Sequence, residues 1–233
     1  MPVAHRSNLT PEVSPPKPIR LGKTFGASMA VLVVGLMVLL WATGGGQSFT
    51  TETLRRQQVS QKPQVIESFA VTTSAGDKTS LNALLLANNK VWLVDFVYTR
   101  CQTLCSSLGS IYQQLQAQIE ARGLQGQVGL LSISFDPAND DAAALKAYAL
   151  RMNMNLAIWQ VATLTNWQDR RRLLDAFGIM VLPAPLGEFE HNAALHVMSA
   201  DGSLIRIIDY NDFNSALDAA IALSQHSTVA AAP

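Results

Sequence analysis

Charge is scarce in this sequence, and balanced. Charged residues make up 15% of the 233, against about 25% in an average soluble chain, and 17 Lys and Arg face 17 Asp and Glu. Without a basic excess to neutralise phosphates, the composition argues against a dedicated nucleic-acid binder. The hydrophobic share of 48% excludes a mainly disordered protein and supplies a real core. Cysteine is scarcer still: Cys101 and Cys105 are the whole complement. Neither stands directly after the apolar run near the N-terminus, so a lipid-bearing cysteine is not expected there. No internal repeat is present. At about 150 residues per domain, the length allows one domain with extras, or two small ones.

One long hydrophobic run stands out. Thr24 to Thr43 reads TFGASMAVLVVGLMVLLWAT, twenty residues without a charge. As a helix it would cover about 30 Å, the hydrocarbon thickness of a bilayer. Trp41 sits where an interfacial aromatic belongs, and Gly44, Gly45 and Gly46 follow as helix breakers. A cleaved signal peptide has an apolar region of only about 7–15 residues, so an uncleaved anchor is the expectation, although Ala42-Thr43-Gly44 would tolerate cleavage. Lys17, Arg20 and Lys23 precede the run, and Arg55 and Arg56 follow it. This slight bias places the N-terminus in the cytoplasm and translocates the rest. Removing residues 1–43 takes away Arg6, Lys17, Arg20, Lys23 and Glu12, leaving 13 basic and 16 acidic residues. The expected organisation is a disordered cytoplasmic lead (1–23), a membrane anchor (24–43), a linker (44–62), a folded domain (63–224) and a flexible tail (225–233). The expected location is a bacterial inner membrane with the domain on the periplasmic side, ahead of a mitochondrial inner membrane.

Within the folded part the periodicity alternates. Ser68–Thr72 and Thr79–Leu81 flank Ala75-Gly76-Asp77 and predict a hairpin. Val91–Tyr98 and Val128–Phe135 predict buried strands. Leu104, Leu108, Ile111, Leu115 and Ile119 predict an amphipathic helix over 104–120. Helices are expected over 140–152, 165–177 and 211–224, and a second hairpin over 193–208. One α/β domain with a central mixed sheet and helices on both faces follows, in a thioredoxin-like layout.

The chemistry sits where the first buried strand gives way to a helix. The CxxxC spacing puts Cys101 and Cys105 on one face of a helical turn. The unpaired N–H groups and positive end of that helix favour thiolate over thiol. Three readings compete. A structural disulfide would close only a short loop and add little stability. A redox dithiol is usually spaced CxxC. A soft-metal site suits two thiolates, which favour Cu(I) or Zn(II). Of four histidines, His5 lies in the lead and His226 in the tail. His191 sits in a loop beside a strand and His196 inside that strand. Both stay open as ligands or as ordinary packed residues.

DFVYTRCQTLC, then SISFDP, then EHNAALHVMSADG resembles the Sco/SenC family of membrane-anchored, thioredoxin-like copper chaperones. The resemblance covers roughly residues 63–224. It implies copper ligation by Cys101, Cys105 and His191, but not by His196. It also implies delivery of copper to the Cu(A) centre of cytochrome c oxidase, or redox maintenance of that centre's thiols. Gln102 and Ser106 stand where the family usually has proline, and Glu190 where Asp is commoner. The expected mechanism is transfer without turnover. Thiolates and an imidazole hold the ion, a partner site takes it by ligand exchange, and an upstream reductant or copper donor keeps the pair loaded. The alternative is a thiol–disulfide oxidoreductase on the same fold.

Other candidates are Met152, Met154, Met180 and Met198 as soft ligands, each more ordinarily core filler. Asp136 could face the thiols or merely shape a turn. Asp95, polar in an apolar strand, could be a buried proton acceptor or half exposed. Arg170, Arg171 and Arg172 form a solvated face or a docking patch. Trp159 and Trp167 are expected in the core or at its rim.

Overall fold

The computed structural model describes residues 21–42, 51–100, 104–185 and 188–230. The chain forms two units, residues 1–49 and 50–233. The first holds α1 (Leu21–Ala42), whose side chains from Phe25 to Trp41 are all exposed. Among the described residues, no helix is long and apolar enough to cross a membrane. The stretch expected as a membrane span lies within this helix, whose backbone is described over Leu21–Ala42 and whose side chains are described over 25–41.

The second unit opens with α2 (Thr51–Gln61), β1 (Gln64–Val65), β2 (Ala70–Thr73), β3 (Lys78–Ser80) and α3 (Leu81–Leu86). It continues with β4 (Val91–Val97), α4 (Leu104–Ala121), β5 (Val128–Ser134), α5 (Ala142–Arg151), β6 (Trp159–Leu164) and α6 (Arg170–Phe177). It closes with β7 (Val181–Pro183), β8 (Phe189–His191), β9 (Ala194–Met198), β10 (Ser203–Asp209) and α7 (Phe213–Ala230). Eight strands form one sheet in the order β1-β10-β9-β4-β5-β6-β2-β3, and β7 pairs with β8 separately. β4, β5 and β6 run parallel, and the flanking strands are antiparallel.

Every residue of β4 and of β5 is buried, which requires cover on both faces. On one face Tyr112 of α4 donates to the Leu93 carbonyl (3.0 Å). On the other, the Trp92 indole donates to the Leu85 carbonyl of α3 (2.8 Å) and Phe96 packs on Phe177 of α6 (5.0 Å). Gly129 faces the Trp92 ring so closely that an added Cβ would lie 2.5 Å from it. Gly129→Ala is therefore expected to destabilise the domain by about 1–3 kcal/mol through overpacking, read as a lowered midpoint in urea; an unchanged midpoint would show that the ring yields.

The parallel core, the first hairpin, the late hairpin and the closing helix match the pattern of the sequence. Several features differ. β6 (WQVATL) supplies a third parallel strand that the pattern did not announce, its alternation blurred by Gln160 and Thr163. The polar stretch expected as a linker over 44–62 carries α2. This helix docks through buried Val59 and through Arg55, which donates to the Phe177 (2.7 Å) and Ala176 (3.0 Å) carbonyls at the end of α6. Leu81 begins α3 instead of ending a strand, because the Ser80 hydroxyl caps the Ala83 N–H. α7 runs on to Ala230, past the expected end at 224.

Val97 of β4 pairs in register with Ser134 of β5. The loops after these two strands therefore leave the same edge of the sheet, at the carboxyl ends of parallel strands, where α/β folds place their ligand sites.

Candidate metal centre

Cys101 lies outside the described residues. Cys105 is the second residue of α4, in the turn where unpaired backbone N–H groups favour a thiolate; its backbone alone is described. Tyr98, Thr99 and Arg100 lead from β4 toward them.

His191 ends β8, half-buried, paired through Val181 of β7. Its Nδ1 lies 3.1 Å from the Asn192 carbonyl. An imidazole that donates from Nδ1 carries its lone pair on Nε2, the tautomer a metal ligand needs. The base of the hairpin is pinned by Asn192, whose side chain donates to the Gly178 carbonyl (3.0 Å) and accepts from the Met180 N–H (2.7 Å).

An aromatic cluster joins this hairpin to the ends of β4 and β5. The His191 ring meets Phe135 edge-on at 5.2 Å. Phe135 packs on Tyr98 (5.4 Å) and on Phe189 (5.7 Å), and Tyr98 on Phe189 (5.3 Å). The Tyr98 hydroxyl donates to the Glu188 carboxylate and accepts from the Phe189 N–H (3.2 Å). Arg170 stacks over Phe135 (5.6 Å) and Phe189 (5.0 Å). The hairpin that carries His191 is thus fastened to the residue three places before Cys101.

A second set of contacts holds Thr99, and nothing in the sequence announced it. Asp140 is fully buried and accepts from the Thr99 N–H (2.9 Å), the Thr99 hydroxyl (2.6 Å) and the Ser134 hydroxyl (2.5 Å). Arg151 donates to the Thr99 carbonyl (2.8 Å). Next along the chain, Arg100 pairs with Asp136 at 3.0 Å, and Asn139 donates to both oxygens of that carboxylate (3.0 Å each). Read along the sequence, the acids before α5 look alike as helix-start signals. Only Asp141 is the cap, accepting from the Ala144 N–H (2.8 Å); Asp140 points inward.

His196 is a core residue. It is fully buried, edge-on to Phe96 (5.6 Å) and Phe177 (5.3 Å). Its Nε2 lies 2.9 Å from the Phe177 carbonyl and its Nδ1 3.3 Å from that of Val94. Burial pushes its pKa down to about 4. Asp95 is equally buried, Oδ1 having no hydrogen-bond partner among the described residues. Desolvation lifts it to about 7, opposed in part by Ser132 and Tyr112. Met198 and Trp159 belong to the core, Met152 and Met154 pack against it, and Met180 and Trp167 are exposed. Arg171 and Arg172 are surface residues paired with Asp175 and with Asp169 and Glu67, whereas Arg170 serves the aromatic cluster. His5 lies outside the described residues, and His226 is on α7. Among the described residues, no group of three His, Cys, Asp or Glu is placed to hold a metal ion.

The family model of SCO1/SenC matches residues 57–224. The chain belongs to the SCO1/SenC family. This SCO1/SenC chain is 26% identical over 182 residues to the SCO1 protein homolog of Bacillus subtilis, covering 77% of this chain and 86% of that protein. Among solved structures it is similar to BsSco, a member of the Sco family of cytochrome c oxidase assembly proteins in which a disulfide switch was identified. Identity there is 25%, the TM-score is 0.57, and the match covers 70% of this chain and 96% of that one. Bradyrhizobium japonicum ScoI with copper bound is 20% identical, with a TM-score of 0.52 over 67% of this chain and 99% of its own; at that identity the likeness speaks for the fold. The fold of this SCO1/SenC chain is mixed α/β and thioredoxin-like, as the sequence pattern led one to expect. The family match begins inside α2, consistent with that helix being docked on the domain.

Proposed function

We propose that this chain is a membrane-anchored copper chaperone in which Cys101, Cys105 and His191 hold the ion, and that its client is the Cu(A) site of cytochrome c oxidase. The observation that carries the reading is the fastening of the His191 hairpin, through Phe135 and Tyr98, to the segment that leads into the thiols. Three peptide units separate Tyr98 from Cys101, about 11 Å at full extension, so chain connectivity alone keeps the first thiol in the neighbourhood of the imidazole. The Bradyrhizobium ScoI structure with copper bound and the oxidase-assembly role of the family of BsSco agree with it.

Copper is cargo in this scheme. Two thiolates and a neutral imidazole form a donor set that suits soft Cu(I). The client's thiolates displace this chain's one by one, so no atom is oxidised during transfer. Oxidation of the pair instead removes two electrons and two protons, forms an S–S bond, and leaves no thiolate to ligate. A reductant on the same side of the membrane is therefore required. For the anchor, α1 offers 22 helical residues, about 33 Å at 1.5 Å each. The apolar side chains described along it are exposed and call for a lipid or protein cover. The soluble unit then lies on the periplasmic side.

Anaerobic titration of the reduced full chain in mild detergent tests the reading. About one Cu(I) per chain is expected, and none after oxidation. His191→Ala is expected to retain the ion with an affinity lowered roughly tenfold or more, about 1.4 kcal/mol; an unchanged dissociation constant would remove His191 from the ligand set. The disulfide switch of BsSco favours a second reading, a thiol–disulfide oxidoreductase that keeps the client's cysteines reduced. Multiple turnovers against a disulfide substrate, with no copper uptake, would put that reading first.

A further inference from the structure

We propose that Asp140, acting through Thr99, is the residue that positions the Cys101–Cys105 pair for copper. The inference rests on the copper reading above. Three donors converge on one fully buried carboxylate, two of them from Thr99. Burying a carboxylate is costly unless each oxygen is satisfied, and here two of the three hydrogen bonds that satisfy it come from the residue two places before the first thiol. The third polar atom of Thr99, its carbonyl oxygen, is taken by Arg151.

With N–H, hydroxyl and carbonyl all engaged, Thr99 has no rotational freedom to share with its neighbours. The backbone of Thr99 is therefore set by the 134–140 loop and α5. The Asp140 N–H in turn donates to the Asp136 carbonyl (2.9 Å), and the Asp136 side chain holds Arg100. One short loop thus grips two consecutive residues immediately upstream of the thiols. Partners that orient metal ligands without touching the metal commonly alter affinity by about 10–100-fold when removed.

Thr99→Val deletes the hydroxyl and leaves every charge in place; Thr99→Ser keeps the donor; Asp140→Asn keeps the shape and removes the carboxylate. In the full chain, Thr99→Val and Asp140→Asn are expected to weaken Cu(I) binding by about tenfold or more, measured by competition with a chromophoric chelator, and Thr99→Ser to restore it to within about twofold. A readout without metal accompanies this: equilibration of the pair with glutathione. The two thiols pass two electrons and two protons to glutathione disulfide, which becomes two glutathione thiols. The clamp and the disulfide constrain one loop, so each is entropically easier to form when the other is present. Thr99→Val should therefore shift this equilibrium toward the dithiol by about threefold or more, and Thr99→Ser should not. Affinity and equilibrium both unchanged in Thr99→Val, with only the unfolding midpoint lowered, would reduce the clamp to a structural staple and overturn the proposal. Should the unaltered chain take up no Cu(I), the copper reading fails while the glutathione equilibrium still decides whether Thr99 positions the thiols. If Asp140→Asn fails to fold, the Thr99 pair carries the test alone.

Discussion

Replacing Cys101 and Cys105 together by alanine is expected to abolish Cu(I) binding while leaving the domain folded. Both halves follow from the physics of the site. In the proposed site thiolate is the donor that makes a soft ion bind, and an imidazole alone does not replace it. Among the described residues of the second unit, substitute sulfurs are not at hand: Met198 is locked in the core, Met152 and Met154 pack against it, and exposed Met180 is a single thioether. Folding survives because the core of this unit is built from β4, β5 and their cover, and a disulfide closing so short a loop would contribute little through chain entropy. Anaerobic titration, with far-ultraviolet circular dichroism on the same sample, measures both. A double variant that still takes up a full equivalent of Cu(I) would place the copper elsewhere. A variant that loses the ion only together with its secondary structure would make the cysteines structural. Single substitutions should fall between, since one thiolate and one imidazole still form a two-coordinate site.

The second large effect concerns two buried groups that the proposed transfer does not use. Asp95 is raised from 3.8 to about 7 by burial. Between these values the unfolded chain gives up the proton while the folded chain keeps it. Stability therefore falls as pH rises through this window, and the full penalty is present above about 7. The gap is worth roughly 4 kcal/mol at 1.36 kcal/mol per pH unit. His196 works in the opposite sense. Burial lowers it from 6.5 to about 4, so between pH 4 and 6.5 the unfolded chain binds a proton that the folded chain refuses. Stability then rises with pH across that range, by roughly 3 kcal/mol on the same conversion. In the unaltered protein the two slopes largely cancel. Asp95→Asn removes one of them, so its stability relative to the unaltered chain should grow by about 4 kcal/mol between pH 4 and pH 7. Urea midpoints at pH 4, 5.5 and 7 measure the difference. Parallel curves would mean that Asp95 ionises in the folded state as freely as in the unfolded one.

Much of this was legible along the chain, and the reasons are local. VWLVDFV and VGLLSIS are apolar throughout because both faces of a central parallel sheet are covered, and a run of that kind announces itself. The helix after the thiols shows its 3.6-residue period, and Gly202 marks the late hairpin. The CxxxC pair is visible in the sequence between β4 and α4, but the spacing leaves a disulfide, a redox dithiol and a soft-metal site all open. What escaped did so because its cause is distant in sequence. α2 is polar and short, and is held by Arg55 reaching carbonyls 121 and 122 positions away. β6 carries Gln160 and Thr163, so its alternation is blurred. The β7–β8 hairpin contains Pro183 in a strand, a residue that sequence rules assign to turns and edges.

The sequence by itself determined the fold class, the strand–helix junction that bears the thiols, and the apolar run ahead of the domain, because each is written in the spacing of neighbouring residues. Tertiary structure alone showed where the two histidines lie, enclosing His196 between two carbonyls and setting His191 on a hairpin against Phe135. It alone told Asp140 from Asp141, turning one carboxylate inward onto Thr99 and leaving the other to cap a helix. Burial and hydrogen-bond partners are properties of residues brought together from far apart, and two adjacent aspartates, or two histidines five places apart, carry no local mark of which environment each will meet.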